Sequence, residues 1–381
     1  MTTYVSGGMT TGNVLSDQLA IDISKEIRQL EPDIQPLTIF SREAEKRRTI
    51  AVKFKWLEEE AKARFDTVSV EATAEAITIT VTNGAYYQQW DQVLDTITGE
   101  QFRVDSVNGN VLTVTRGIGS TAKIMKAEDE LYIIGTAQPE NDTSKTARST
   151  IPSKVENNTQ IWRTPFEVSG SLMASGFMVN PAEWPRQARA KGIEHAKDIE
   201  LSALLGRKSA TTPGSTEDRT TGGALSFITS NQTDAGGELS EPEWNAFLAS
   251  VMRYGQKGKL GLGSATAVNA LQKFPASKLI TKQDESTYGL NVAHFTSPFG
   301  SINLVYHRLL TGAKYGGYLI ILDMTEIAWR PLGNDTTDRD TKVLPNRQPN
   351  DQDGQKNEYL TEAGLEFGSQ RKHGVVTGIT S

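Results

Sequence analysis

The chain has 381 residues, 40 Lys and Arg against 46 Asp and Glu, and no cysteine. That length allows two or three domains and a sizeable core. A net charge of −6 excludes binding of nucleic acid through bulk charge. The missing thiols exclude disulfides and thiolate chemistry, which fits a reducing cytoplasm.

The N-terminus, MTTYVSGGMTTGNVLSDQLA, has neither a basic n-region nor an apolar h-region, so no signal peptide is expected. No run approaches the roughly 18 apolar residues of a membrane span. A Gly/Thr-rich start is followed by a predicted amphipathic helix from Ser16 to Leu30, with Leu19, Ile23, Ile27 and Leu30 on one side. Pro32 and Pro36 then enforce extended chain. Six basic and two acidic residues lie between Arg42 and Lys55. They read either as a solvated basic stretch or as an arm lying on a neighbour or near nucleic acid.

Residues 66 to 137 change character. AITITV alternates, with Ile77, Ile79 and Val81 on one face, and QFRVDSVNGNVLTVTRG predicts a hairpin turning at Asn108-Gly109 in type I′ geometry. With VLDTIT and LYIIGTA these runs predict a small sandwich or barrel inserted in a larger fold. Its ends, near Trp56 and Trp162, are then expected close together. Within the insert, Trp90 and Tyr86-Tyr87 suit either a stacking surface for sugars or bases or the packing of a small barrel. Trp56 reads as a packing anchor.

A polar return segment leads into NTQIWRTPFEVSGS, which reads as extended chain. Asn180-Pro181-Ala182-Glu183 looks like a capping turn, and the long helix is expected to start at Pro185 and run to Leu205, with Gly206 as its stop. GGALSFITSNQTDAGG resembles a strand and turn. SEPEWNAFLASVMRYG predicts a helix with a Ser240/Glu243 capping box and an apolar stripe of Trp244, Phe247, Leu248, Val251 and Met252. Another helix is expected from Ala265 to Phe274, then strands at SINLVYHRLL and GYLIILDMTEIAWRP. A long polar loop at 332 to 358 and strands at TEAGLEFGS and KHGVVTGI close the chain. The order of elements is α+β.

Candidate chemistry concentrates in KGIEHAKDIELSALLG, residues 191 to 206. On a helix Glu194, His195 and Asp198 share one side, while Glu200 falls in the apolar arc of Ile193, Ala196, Ile199, Ala203 and Leu204. A metal or acid/base site would need a further ligand, and neither H-E-x-x-H nor a second carboxylate helix appears. His195 and Asp198 are therefore expected to meet solvent or another subunit. Glu200, a carboxylate on a packing face, requires a partner, expected to be an Arg or Lys from elsewhere in this chain or from another. GLGSATA fails as a dinucleotide loop because Thr266 holds its third small position and GQKGK before it does not read as a buried strand. There is no P-loop and no G-x-S-x-G elbow, and a calcium loop around Asp351 fails at Pro349 and Leu360. The four histidines, His195, His294, His307 and His373, stand far apart. No cofactor, metal or catalytic residue is expected.

The blocks SKEIRQLEPDIQPLTIF, KFKWLEEE, NNTQIWRTPFEVSGS, EHAKDIELSALLG, RTTGGALSFITSN, FGSINLVYHRLL, YLIILDMTEIAWRPL and TEAGLEF…KHGVVTGI follow one another in an order that resembles tailed-phage major capsid proteins of the SU10-like family, with the HK97-type fold. The resemblance implies an N-terminal arm at 1–50 and an extended loop region at 51–165 carrying a β domain at about 66–137. It also implies a peripheral domain at 166–222 with a spine helix at about 185–205, an axial domain at 223–300, and C-terminal strands at 301–381 completing both. It implies self-assembly into hexamers and pentamers of an icosahedral shell around double-stranded DNA, held through non-specific contacts and built in the host bacterial cytoplasm. Scaffold, portal and decoration proteins are further implied partners; the short arm argues against a large fused scaffold. Trp56, Arg47, Arg48 and Glu200 are the expected assembly contacts. Competing readings are an encapsulin-like compartment shell, a metal-dependent hydrolase using Glu194, His195 and Asp198, and a carbohydrate-binding role for the insert alongside the shell role.

Overall fold

The computed structural model describes residues 45–60, 62–140, 147, 149–175, 183–210, 218–274, 279–280, 292–334 and 336–380. The expected helix at Ser16–Leu30, the Pro32–Pro36 stretch and the Asn180–Ala182 part of the capping turn lie outside these residues. Two compact units are present: Met1–Trp56 with Lys154–Ser381, and Leu57–Ser153.

Strand β1 (Lys53–Glu58) leads out of the larger unit. The smaller unit holds β2 (Phe65–Val70), β3 (Thr78–Val81), β4 (Asp91–Asp95), β5 (Gln101–Asn108), β6 (Val111–Thr115) and β7 (Glu130–Thr136), which close into a barrel in the order β2-β3-β6-β5-β4-β7. Alternate residues point inward, as the period of two demands: Val68, Ile79, Val81, Val93, Phe102, Val104, Leu112, Val114, Leu131 and Ile133 fill the interior. Closure leaves no free strand edge. Ile77, expected on one face with Ile79 and Val81, is 68% exposed while those two are buried, because β3 begins only at Thr78.

The hairpin turn is displaced by one residue from its expected place. Asn108 pairs with Val111, so Gly109 and Asn110 occupy the loop. Only Gly109, at φ 59°, takes a positive φ, the pattern of a type II′ turn with Gly first. Asn110 is spent on the turn's surroundings: its Oδ1 accepts the Gly84 N–H at 3.0 Å and its Nδ2 donates to the Thr82 carbonyl at 3.0 Å. Of the aromatic group, Tyr87 is buried in the barrel and Trp90 lies 4.8 Å beneath the Arg103 guanidinium. Glu100 sits fully buried, where burial alone would raise its carboxyl. Hydrogen bonds from Arg116 (2.6 and 2.7 Å) and the Lys123 N–H (2.7 Å) overcome this and hold it below the usual range.

The chain re-enters the larger unit through β8 (Ser153–Asn158), which pairs with β1 and so brings the ends of the insert together. There follow β9 (Gln160–Ser169), α1 (Gly170–Ala174), α2 (Glu183–Leu205), a two-stranded ribbon of β10 (Ser209–Ala210) and β11 (Arg219–Thr220), and α3 (Ala224–Phe227). Then come β12 (Gln232–Gly237), α4 (Glu241–Val251), β13 (Gly258–Gly263), α5 (Ala265–Gln272), β14 (Leu279–Ile280), β15 (Val292–Ser297), β16 (Gly300–Tyr306) and α6 (Gly312–Tyr315). The last elements are β17 (Leu319–Leu322), β18 (Ile327–Pro331), β19 (Lys342–Leu344), β20 (Gly354–Phe367) and β21 (Gly374–Ile379).

These strands form two main sheets. One has seven strands in the order β12-β21-β17-β13-β16-β15-β14. The other is built on β20, with β9 along one side from Gly354↔Ser169 to Ala363↔Gln160 and β18 and β19 along the other. Helix α2 packs on β9 and β20 through Ile199, Ala203 and Leu204 and reaches ~34 Å at 1.5 Å per residue. It starts two residues before Pro185. The missing proline N–H costs nothing there, because first-turn donors have no intrahelical partner.

Helix α4 carries the expected capping box: the Glu243 N–H bonds Ser240 Oγ, and the Glu243 carboxylate returns to the Ser240 N–H at 3.1 Å. Its apolar stripe packs over the seven-stranded sheet. Its far end is capped by a side chain the sequence did not advertise. Lys259, 1% exposed, donates to the carbonyls of Val251 (3.0 Å), Tyr254 (2.9 Å) and Lys372 (2.5 Å). Burial pushes its ammonium down to about 8.

Several expected elements differ. Residues 224–227 form α3 rather than a strand, ahead of β12. The run expected as one strand, GYLIILDMTEIAWRP, divides between the two sheets as β17 and β18. The polar loop at 332–358 contains β19 and the start of β20. Of GQKGK only Gly258 and Lys259 are strand, and 255–258 are exposed; β13 runs on through the GLG itself, held parallel to β16 and antiparallel to β17, so GLGSATA is a strand-to-helix turn with Ser264 as N-cap of α5.

Candidate assembly surface

The long strand β20 organises the charged side chains of the larger unit. Glu358, Glu362 and Glu366 stand four residues apart, so a period of two puts all three on one face. All three are buried. A buried carboxylate is tolerated only with partners, and each has one or two arginines. Glu358 takes a two-pronged contact from Arg163 of β9 at 2.5 and 2.8 Å. Glu362 binds Arg219 at 3.1 Å and also Arg339. Glu366 binds Arg330 of β18 and, at 3.1 Å, Arg47. The sequence reading missed this row, although Glu-x-x-x-Glu-x-x-x-Glu across EYLTEAGLE was visible.

Arg47 belongs to a short strap, 45–49, that lies parallel to β18. Its backbone bonds run from Arg47 N–H to the Trp329 carbonyl (3.0 Å) and from Thr49 N–H to the Pro331 carbonyl (2.9 Å). Ion pairs Lys46–Asp340, Arg47–Glu366 and Arg48–Asp338 hold it in place. The Glu45 carboxylate, then the Glu366 charge, raise the Arg47 guanidinium above its ordinary value. The side chains of Arg47 and Arg48 remain 46% and 57% exposed. Trp56 is buried, its ring 6.1 Å from Phe54 and 5.8 Å from Phe227.

The residues of the long helix separate. His195, expected to face solvent or another subunit, is buried instead: Nδ1 lies 2.9 Å from Thr164 Oγ1 and Nε2 2.8 Å from Thr361 Oγ1. The cause is that β9 and β20 turn both threonines inward beneath α2, offering an acceptor and a donor to one imidazole. Glu194 and Asp198 stay exposed on the other side. Partial burial, then the Glu194 charge, pushes the Asp198 carboxyl up. The three do not converge, and among the described residues no cluster of three His, Asp or Glu could hold a metal. Glu200 is fully buried, and one partner it meets is His307 of this chain, Nε2 to Oε1 at 3.0 Å. We expect Glu200→Gln to lower unfolding stability by about 2 kcal/mol, the range for a buried bond to a charged group. Chemical denaturation measures this; an unchanged midpoint would mean the carboxylate is merely tolerated.

Two solved structures share this fold. A chain from Mycobacterium phage Bobi aligns over 98% of this chain and 100% of its own, at 8% identity and a TM-score of 0.54. A chain from the capsid of an empty GTA particle aligns over 97% and 98%, at 10% identity and a TM-score of 0.51. The α+β architecture is thus the HK97-like fold of phage capsid proteins. The chain belongs to the SU10 major capsid protein family, whose model matches residues 3–380. A curated relative, the major capsid protein of Pseudomonas phage PaMx41, is 33% identical over 141 residues. That stretch is 37% of this chain and spans about a third (34%) of the relative's length.

Proposed function

We propose that the chain is the major capsid subunit of a tailed bacteriophage. It assembles with its own copies into hexamers and pentamers of an icosahedral shell that encloses double-stranded DNA. The observation that carries this reading is the family match across residues 3–380 on an HK97-like fold. The arrangement of charge supports it. The buried carboxylates of β20 are spent on arginines that tie strands together. Its role is structural rather than enzymatic.

On this reading α2 is the spine of a peripheral domain, 223–300 forms the axial domain, and the β2–β7 barrel is a surface domain. The chain is built into the virion capsid in the host cytoplasm, where scaffold, portal and decoration proteins are its further partners. Arg47 and Arg48, still half exposed, are the proposed contacts to a neighbour. Trp56 and Glu200 serve assembly by fixing the subunit's own frame. Expression with its scaffold, followed by electron microscopy, tests the proposal. Shells or capsomer rings are expected; a monomer under every condition would overturn it.

A further inference from the structure

A cleft of about 470 Å³ opens at the C-terminal end of α4. Its walls come from three separate segments: Ser230 and Asn231 before β12, Ala249, Ser250, Arg253 and Tyr254 at the end of α4, and Arg371 in the turn before β21. The floor is fixed by hydrogen bonds across these segments. Asn231 Nδ2 donates to the Arg371 and His373 carbonyls, each at 2.8 Å, and Ser250 Oγ donates to Asn231 Oδ1 at 2.9 Å. Into this frame the chain sets two exposed arginines, Arg253 and Arg371, with exposed Lys257 close in sequence. On a chain of net charge −6 this gathering of cations stands out.

The opposite end of α4 carries the opposite sign. Glu238, Glu241 and Glu243 stand at its start, ~16 Å away for an eleven-residue helix. The helix dipole accounts for acid at the start and base at the end. It does not account for a rigid concave pocket around the bases. A surface with a basic cleft at one end and acidic side chains at the other is complementary in charge to itself under a rotation, the requirement for a head-to-tail ring. A pocket of this size suits inserted carboxylates better than the continuous rail of a nucleic acid backbone.

We propose that the Arg253–Arg371 cleft receives the acidic start of α4, Glu238 and Glu241, from a second copy of this chain, head to tail around a capsomer. This rests on the shell-subunit reading above. Opposite charges here fix register and speed association.

The test compares wild type, R253E/R371E, E238K/E241K and the variant carrying all four changes, each expressed with the scaffold. Glu243 is left intact to preserve the capping box. Sedimentation and electron microscopy give the assembled fraction, and the melting temperature of unassembled subunits reports folding. Each paired reversal is expected to lower the assembled fraction about tenfold, the effect of ~1.4 kcal/mol per contact, with melting within a few degrees of wild type. The fourfold variant is expected to recover. Paired reversals that assemble like wild type would overturn the inference, as would a fourfold variant as poor as its parents. Normal shells of R253E/R371E that hold less nucleic acid would reassign the cleft to phosphate. A wild type that forms neither ring nor shell would overturn the shell reading together with this one.

Discussion

Replacing Glu362 by Gln is expected to be among the most damaging single changes in the larger unit, costing about 3 kcal/mol. Glu362 is 3% exposed, and its two carboxylate oxygens meet Arg219 and Arg339 separately. The amide keeps the volume and can still accept from one arginine, but it removes the charge that both require. Arg219 decides the cost, because its side chain is only 14% exposed and cannot recover its hydration where it stands. Breaking a buried pair from one side typically costs 3–5 kcal/mol; the greater exposure of Arg339 argues for the lower end. In thermal denaturation that corresponds to a fall of roughly 6–12 °C for a unit of this size. Arg219→Met combined with Glu362→Met should recover much of the loss, because the penalty lies in the stranded charge rather than in a missing attraction. A single variant that melts with wild type would show that Arg219 is satisfied without Glu362.

The comparison with Glu200 shows what the sequence could and could not carry. A carboxylate within the apolar arc of a helix declares a buried charge by local pattern alone, and the structure places it at 0% exposure. The contact with His307 was not legible, because His307 lies 107 positions away, just past the strand that ends at Tyr306. His195 failed for the same reason. The threonines that hold it are 31 and 166 positions distant, so no helical wheel could turn it inward.

Short-range chemistry fared better. The capping box of α4 and the run of the spine helix rest on contacts within a few residues, and the barrel strands showed themselves by their alternating pattern although β2 and β7 pair across more than 60 positions, as in Phe65↔Tyr132. Where local signals conflicted, the reading slipped. In Asn108-Gly109-Asn110 two turn frames compete, and the bonds Asn110 makes to Gly84 and Thr82 favour the later one. GQKGK does not read as a buried strand, yet its Lys259 is buried as a helix cap at the start of β13. The added methyl of a residue at Gly261 would meet the Ile302 side chain at 2.8 Å, so the bare backbone here is a packing requirement.

Lowering the pH from 7 towards 4 is expected to weaken the seven-stranded unit through His373. The imidazole is fully buried between segments that fix its tautomer. Nδ1 accepts the Asp323 N–H at 3.1 Å, so Nε2 carries the hydrogen and donates to the Gly368 carbonyl at 3.0 Å. A second proton has no acceptor on that geometry. Burial first, and the charges of Lys259 and Lys372 with it, push the group down to about 4, against opposing effects of the Gly368 bond and Asp323. Between that value and the ordinary 6.5 the unfolded chain binds a proton that the folded chain refuses. Stability present above 6.5 is therefore lost as pH falls through this window, by about 3 kcal/mol in all at 1.36 kcal/mol per pH unit, and the loss levels off below about 4. Glu100, Asp323 and Asp340, whose hydrogen bonds hold them below the ordinary carboxylate range, lose their contribution at lower pH still, so the two effects separate along the axis. Denaturation midpoints at half-unit steps from pH 7 to 4, set against His373→Asn, isolate the histidine. The variant is expected to be weaker than wild type at pH 7 and to close the gap by pH 4.5. Two curves that stay parallel throughout would show that His373 is not the group taking up the proton.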